Sequence, residues 1–300
     1  DSYRWDMLMT VAQQQVAAKD YVSAATLITG LLTNIPNVDE PRKATARNLV
    51  SQCYTRIGAV GLTIDEKSPI APLLQAAMYL RLGDERLAIE AYTANKKLFD
   101  DHRDEVPVDL VMFVCQNLMA AGGNDNFEKV EDTLRSWLIK NDMSTAFDAP
   151  TKAGVQLLLA KNFFNAQRYD VARSEYTTVI NRFPNTPYST EAEFGIGETF
   201  MAQKVYDQAE AVFEKLATSR EADVVVRAEF LRGVLAHRRG DQDEARSIFR
   251  NVLDRVPNIE LANQALFNLA EVYGSEERYM DQLNLLRTVG RLGRSSKRVD

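Results

Sequence analysis

Between residues 150 and 290 small and apolar residues return with a helical period inside a longer repeat. Four phrases anchor it: Tyr169-Asp170-Val171-Ala172, Tyr206-Asp207-Gln208-Ala209, Gln242-Asp243-Glu244-Ala245 and Tyr279-Met280-Asp281-Gln282, at spacings of 37, 36 and 37 residues. Each follows an apolar amphipathic run, and four residues past its end stands Tyr176, Phe213, Phe249 or Leu286. A separation of four puts both side chains on one side of a helix, the inner stripe of the second helix in a hairpin. The preceding first helices carry Leu159-Ala160-x-x-Phe163, Ile196-Gly197-x-x-Phe200, Arg232-Gly233-x-x-Ala236 and Leu269-Ala270-x-x-Tyr273, with a small residue where two helices must approach closely. The pattern predicts hairpins over 150–183, 187–218, 222–255 and 259–290.

Fainter copies precede these. Leu8, Val11-Ala12, Tyr21-x-x-Ala24, Ile28, Leu31 and Pro36 fit the same frame, as do Ala76-x-x-Tyr79, Gly83-Asp84, Ala88 and Tyr92. A third runs from Asp109 through Gly122-Gly123 to Phe127-x-x-Val130-x-x-x-Leu134-x-x-Trp137. Residues 43–57 form one more amphipathic helix, and 58–72, with Gly58, Gly61, Pro69 and Pro72, reads as an irregular connection. β-rich stretches such as Leu110-Val111-Met112-Phe113-Val114 lie inside longer helical patterns. The fold class expected is all-α, a right-handed α-solenoid of tandem helix-turn-helix repeats. Residues 1–140 are expected to hold degenerate hairpins and 141–300 a regular array of four, with a weak joint near 141–150.

The first regular copy, Leu159-Ala160-x-x-Phe163, Tyr169-x-x-Ala172-x-x-x-Tyr176-x-x-Val179 and Pro184, resembles the tetratricopeptide repeat at every expected offset. Pro257 repeats the closing proline, whereas Glu221 takes its place in the intervening copy. The 36–37-residue spacing and the phrase Phe183-Pro184-Asn185-Thr186-Pro187-Tyr188-Ser189 resemble the bacterial envelope branch of that superfamily. Similar modules occur there in outer-membrane assembly lipoproteins and in the periplasmic coordinator of envelope constriction, which act by binding other proteins. The resemblance implies a periplasmic or outer-membrane-associated location, with the cytoplasm as alternative.

Composition narrows the function classes. The 300 residues are 45% hydrophobic with a formal net charge of -6. Residues 1–150 hold 15 Lys or Arg against 21 Asp or Glu, and residues 151–300 hold 21 of each. An acidic half argues against a nucleic-acid scaffold, which needs clustered positive surface. The one basic cluster, Arg287, Arg291, Arg294, Lys297 and Arg298, reads as a solvated last helix and frayed end. No apolar run approaches the roughly 18 residues of a membrane span. The chain starts at Asp1 without Met and stops in a polar stretch, so a processed or truncated piece is expected, with any signal peptide or lipid anchor removed. Cys53 and Cys115 fall among apolar neighbours in predicted helices, where buried free thiols are expected over a disulfide.

Candidate chemistry is sparse. His102 and His237 have no Cys or His at metal-ligand spacing. Asp100-Asp101-His102-Arg103-Asp104-Glu105 offers carboxylates for a hard cation but lacks the alternating ligands and glycine of a calcium loop, so a solvated turn is expected. Gly195-Ile196-Gly197 lacks the downstream glycine and preceding strand of a nucleotide loop. Gly122-Gly123 and Gly240 fall at helix ends that need a left-handed residue. No Gly-x-Ser-x-Gly elbow occurs. No catalytic residue, metal or cofactor is expected.

Surface remains. The resemblance implies that certain first-helix positions face the concave side of the array, and one of them reads Leu157, Phe194, Phe230 and Phe267. Two others read Lys161, Glu198, Val234 and Glu271, then Phe164, Met201, His237 and Gly274. They describe a groove for an amphipathic helix or extended peptide, with the aromatic ladder partly exposed. The expectation is a non-enzymatic adaptor that binds another protein or a peptide segment, with no nucleic acid and no direct membrane insertion. The alternatives are a structural spacer, favoured by exposed apolar surface at an array terminus, and an accessory region of a longer enzyme.

Overall fold

The computed structural model describes residues 2–18, 21–35, 38–57, 68–81, 83–103, 105–255 and 259–296. These residues form α-helices joined by turns, with no strand among them. The chain divides into two compact units, 1–117 and 118–300. The 141–150 joint expected from the sequence therefore lies inside the second unit.

In the first unit α1 (Ser2–Ala17) packs on α2 (Tyr21–Asn34), and α2 on α3 (Glu40–Ile57). Ala12, Ala24 and Ile28 are fully buried along these contacts, as the repeat frame requires. A second hairpin joins α4 (Ala71–Arg81) to α5 (Glu85–Ala94), followed by the short α6 (Lys96–His102). Asp84 caps α5 by accepting a hydrogen bond from the Leu87 N–H at 3.0 Å. The expected closing residue Pro36 and most of the irregular connection, 58–67, lie outside the described residues. Helix α7 (Val108–Ala121) carries the division between the units.

The second unit stacks α8 (Asn124–Asn141), α9 (Ala149–Asn165), α10 (Tyr169–Arg182), α11 (Pro187–Ala202), α12 (Tyr206–Ala217), α13 (Ala222–Arg239), α14 (Gln242–Leu253), α15 (Ile259–Ser275) and α16 (Tyr279–Ser296). Each helix packs on the next, and the first helices α9 and α11, and α13 and α15, also pack on one another. These are the four predicted hairpins, the last running to Ser296. Asp148 caps α9 through the Thr151 N–H at 2.9 Å, and Pro187 opens α11 at a position where no N–H is needed. Pro257, the second closing proline, lies outside the described residues.

All four hairpin turns have one geometry. Gln167, Lys204, Gly240 and Glu277 adopt φ of 59°, 62°, 93° and 61°. The next N–H reaches back five residues in every copy: Arg168 to Phe163 at 2.8 Å, Val205 to Phe200 at 2.9 Å, Asp241 to Ala236 at 2.9 Å and Arg278 to Tyr273 at 2.8 Å. This double-bonded left-handed cap satisfies carbonyls at the end of the first helix and reverses the chain. The α4–α5 turn repeats it, with Gly83 at φ 78° and Asp84 N–H bonded to the Tyr79 carbonyl at 3.0 Å.

Packing between helices also follows one rule. Ala172, Ala209 and Ala245 are fully buried, and the aromatic one turn beyond each enters a notch on a first helix. A Cβ at Gly195 would stand 2.4 Å from the Tyr176 ring, one at Gly197 2.4 Å from Phe213, and one at Gly233 2.8 Å from Phe249. Those distances are too short for any side chain, so glycine sets the helix crossing there. Burial drives the Tyr176 hydroxyl far above its ordinary pKa. Cys53 and Cys115 are buried and form no disulfide with each other, and desolvation raises the Cys53 thiol.

Candidate functional site

The aromatic ladder is largely core. Leu157, Phe194 and Phe230 are buried, with Phe194 at 1% and Phe230 at 7% exposure. The expected partial exposure of Phe194 and Phe230 is therefore corrected. Each first helix is covered by the following hairpin, and Phe230 reaches Phe249 at 5.8 Å between ring centroids. Only Phe267, on the last first helix, is exposed, at 48%.

The other groove candidates divide. Met201 is buried and Val234 half-buried. Phe164 meets Tyr169 edge-on at 5.6 Å, closing its own hairpin turn. His237 Nδ1 lies 2.7 Å from Gln242 Oε1, in a hydrogen bond across the next turn. Lys161 and Glu271 are exposed. In the charged inter-helix loop of the first unit, His102 Nδ1 lies 3.0 Å from Glu105 Oε1. No group of metal-ligating side chains occurs among the described residues. Of the basic tail, the Arg287 side chain is exposed, and the side chains of Arg291, Arg294, Lys297 and Arg298 lie outside the described residues.

Glu198 and Phe230 come together in a cleft of about 500 Å³ on the first helices α11, α13 and α15. Its apolar floor is Phe230, Leu231 and Leu261, and its polar lining is Glu198, Asp223, Arg227, Glu260 and Gln264. Arg227 divides the carboxylates. Its Nη1 donates to Glu191 Oε1 at 2.5 Å, its Nη2 stands 4.0 Å from Glu198, and its Cζ lies 4.1 Å from the centroid of the Phe194 ring. The stacked guanidinium gains a cation–π contact and closes the space above Phe194. Burial raises the Glu198 carboxyl above the ordinary carboxylate range and Glu191 adds to the rise, while Arg227 and Lys161 oppose it.

Six cleft residues, Asp223, Arg227, Leu231, Glu260, Leu261 and Gln264, escaped the sequence reading. The repeat spacing carried a signal for some of them. Three residues before the ladder, successive copies read Gly154, Glu191, Arg227 and Gln264, polar in the last three and on the same side of the first helix.

A crystal structure of BtubC (BKLC) from P. vanneervenii aligns with a TM-score of 0.52 at 15% identity, covering 77% of this chain and 93% of that chain. A tetratricopeptide repeat protein from Parabacteroides merdae ATCC 43184 aligns with a TM-score of 0.48 at 16% identity, covering 88% and 98%. A putative kinesin light chain from Podosopora anserina with nearly identical TPR-like repeats aligns with a TM-score of 0.47 at 12% identity, covering 63% and 95%. No curated protein sequence matches. The family model described as a tetratricopeptide repeat-like domain matches residues 125–289, more than half of the sequence and all four of the shared hairpin turns, and the chain belongs to that family.

Proposed function

We propose that the chain is a non-enzymatic scaffold that holds a segment of a partner protein in the cleft on α11, α13 and α15. Folds of this family generally mediate protein–protein interaction, and the cleft is the observation that carries the reading to a site. It is open, its floor is apolar, and charged side chains from three successive first helices surround it. The stacked hairpins fix these groups before a partner arrives, so docking a flexible segment orders little of the scaffold. The envelope setting implied by the sequence resemblance belongs to this proposal, and cell fractionation tests it.

A second reading, the structural spacer, is favoured by one observation. Phe267 on α15 and Met280, Leu283 and Leu286 on α16 are exposed together on the last hairpin, which suits end-face packing. Photo-cross-linking separates the readings. A photoreactive residue at Gln264 in the cleft is expected to capture a partner that one at Ser247, on the exposed side of α14, does not. Capture from Leu283 alone transfers the function to the end face, and equal capture from Ser247 contradicts both readings.

A further inference from the structure

We infer that the segment held in the cleft carries a lysine or arginine beside an apolar residue. This rests on the cleft being the partner site. Three carboxylates, Glu198, Asp223 and Glu260, line it against one guanidinium. That guanidinium is already committed, since Arg227 donates to Glu191 at 2.5 Å and reaches Glu198 only at 4.0 Å. The cleft therefore presents uncompensated negative charge above an apolar floor, complementary to a cationic head with an apolar neighbour and repulsive to an acidic segment.

Helix-end stabilisation does not explain all of this charge. Asp223 and Glu260 stand in the first turns of α13 and α15, where a carboxylate complements the helix dipole. Glu198 does not. It lies in the C-terminal half of α11, where the dipole disfavours a negative charge, and its side chain is about two-thirds covered. The groups acting on it are Lys161 from α9, Glu191 on its own helix and Arg227 from α13, with the Tyr176 hydroxyl of α10 nearby, and α12 adds none among the described residues. Burial outweighs the two cations and leaves the carboxyl raised. An incoming ammonium or guanidinium supplies the missing charge, and Leu261 and Leu231 take the apolar neighbour. Association is then linked to loss of the Glu198 proton, so affinity rises as pH rises through the Glu198 titration.

The test is selection of short random peptides, displayed on phage, against the purified chain. Affinities of the synthesised winners are then measured for the wild type, for the combined variant Glu198→Gln, Asp223→Asn, Glu260→Gln, and for Leu261→Ser, each verified as folded by its melting curve. The expected winners are enriched in Lys or Arg next to an apolar residue and lose about tenfold or more in affinity for the neutralised variant. Glu198→Gln alone should flatten their pH dependence. Winners without cationic enrichment that are weakened by Leu261→Ser but not by charge removal would overturn this inference and leave the cleft as the site. Winners indifferent to both changes, or no winners at all, would overturn both.

Discussion

Phe230 and Phe267 occupy the same position in consecutive hairpins but in opposite environments, so truncating each to Ala tests the packing account directly. Phe230 is 7% exposed and lies against Phe249, inside a cluster that includes Phe194, Leu231, Leu235 and Val252. Removing its ring loses the transfer free energy of a buried aromatic and its packing against Phe249, and leaves a void beneath the cleft floor. Such Phe→Ala changes cost about 3 to 5 kcal/mol. Phe267 is 48% exposed, so about half of the transfer term is already forgone and no closed cavity forms. With about 1.5 to 3 kcal/mol for complete burial, the expected cost of Phe267→Ala is about 1 kcal/mol. Urea denaturation followed by far-ultraviolet circular dichroism measures both, and neighbour coupling in the stack transmits the Phe230 defect to adjacent hairpins. A cost for Phe230→Ala below about 1 kcal/mol, or equal costs for the pair, would refute the placement of the ladder in the core.

Three further outcomes follow from the same geometry. Gly197→Leu should destabilise the second unit by about 1 to 3 kcal/mol or more, because even its Cβ would stand 2.4 Å from Phe213; an unchanged denaturation midpoint would misplace the helix crossing. Lys204→Gly should stabilise it by up to about 1 kcal/mol, because relief of a left-handed residue, about 1 to 2 kcal/mol, exceeds the roughly 0.5 to 1 kcal/mol entropy cost of glycine; a lowered midpoint contradicts the turn geometry. The raised Glu198 carboxyl contributes stability that is full below its unfolded-state pKa and lost as pH rises through the folded one, so Glu198→Gln should match or exceed the wild type at neutral pH and lose that advantage toward acid. Paired denaturation curves across that range check it, and a variant destabilised only at neutral pH refutes it.

The repeat was legible because helix packing leaves a strict spacing in the sequence. Ala172, Ala209 and Ala245 are fully buried on the inner stripe of the second helices, where close packing favours small side chains. The left-handed turn was visible at Gly240, yet it was hidden at Gln167, Lys204 and Glu277, whose side chains conceal the same backbone conformation. The cleft was less legible still. Whether a first-helix position is core or surface depends on whether another hairpin covers it, and that is why Phe230 and Phe267 differ despite equivalent positions. Of the charged lining, Arg227 was missed because it stands in a register three residues before the ladder, where Gly154, Glu191, Arg227 and Gln264 share no residue type, and Asp223 and Glu260 because they stand earlier still, in the first turns of α13 and α15. Binding geometry constrains location there without constraining chemistry in every copy.

Hydrogen exchange across the second unit, with and without a selected cationic peptide, tests the central claim most directly. Occupancy of the cleft predicts slowed exchange in α11, α13 and α15, centred on the segments around Glu198, Arg227 and Leu261, with α12 and α14 unchanged. Slowing confined to α12 and α14, or to the outer face of α16, would contradict it.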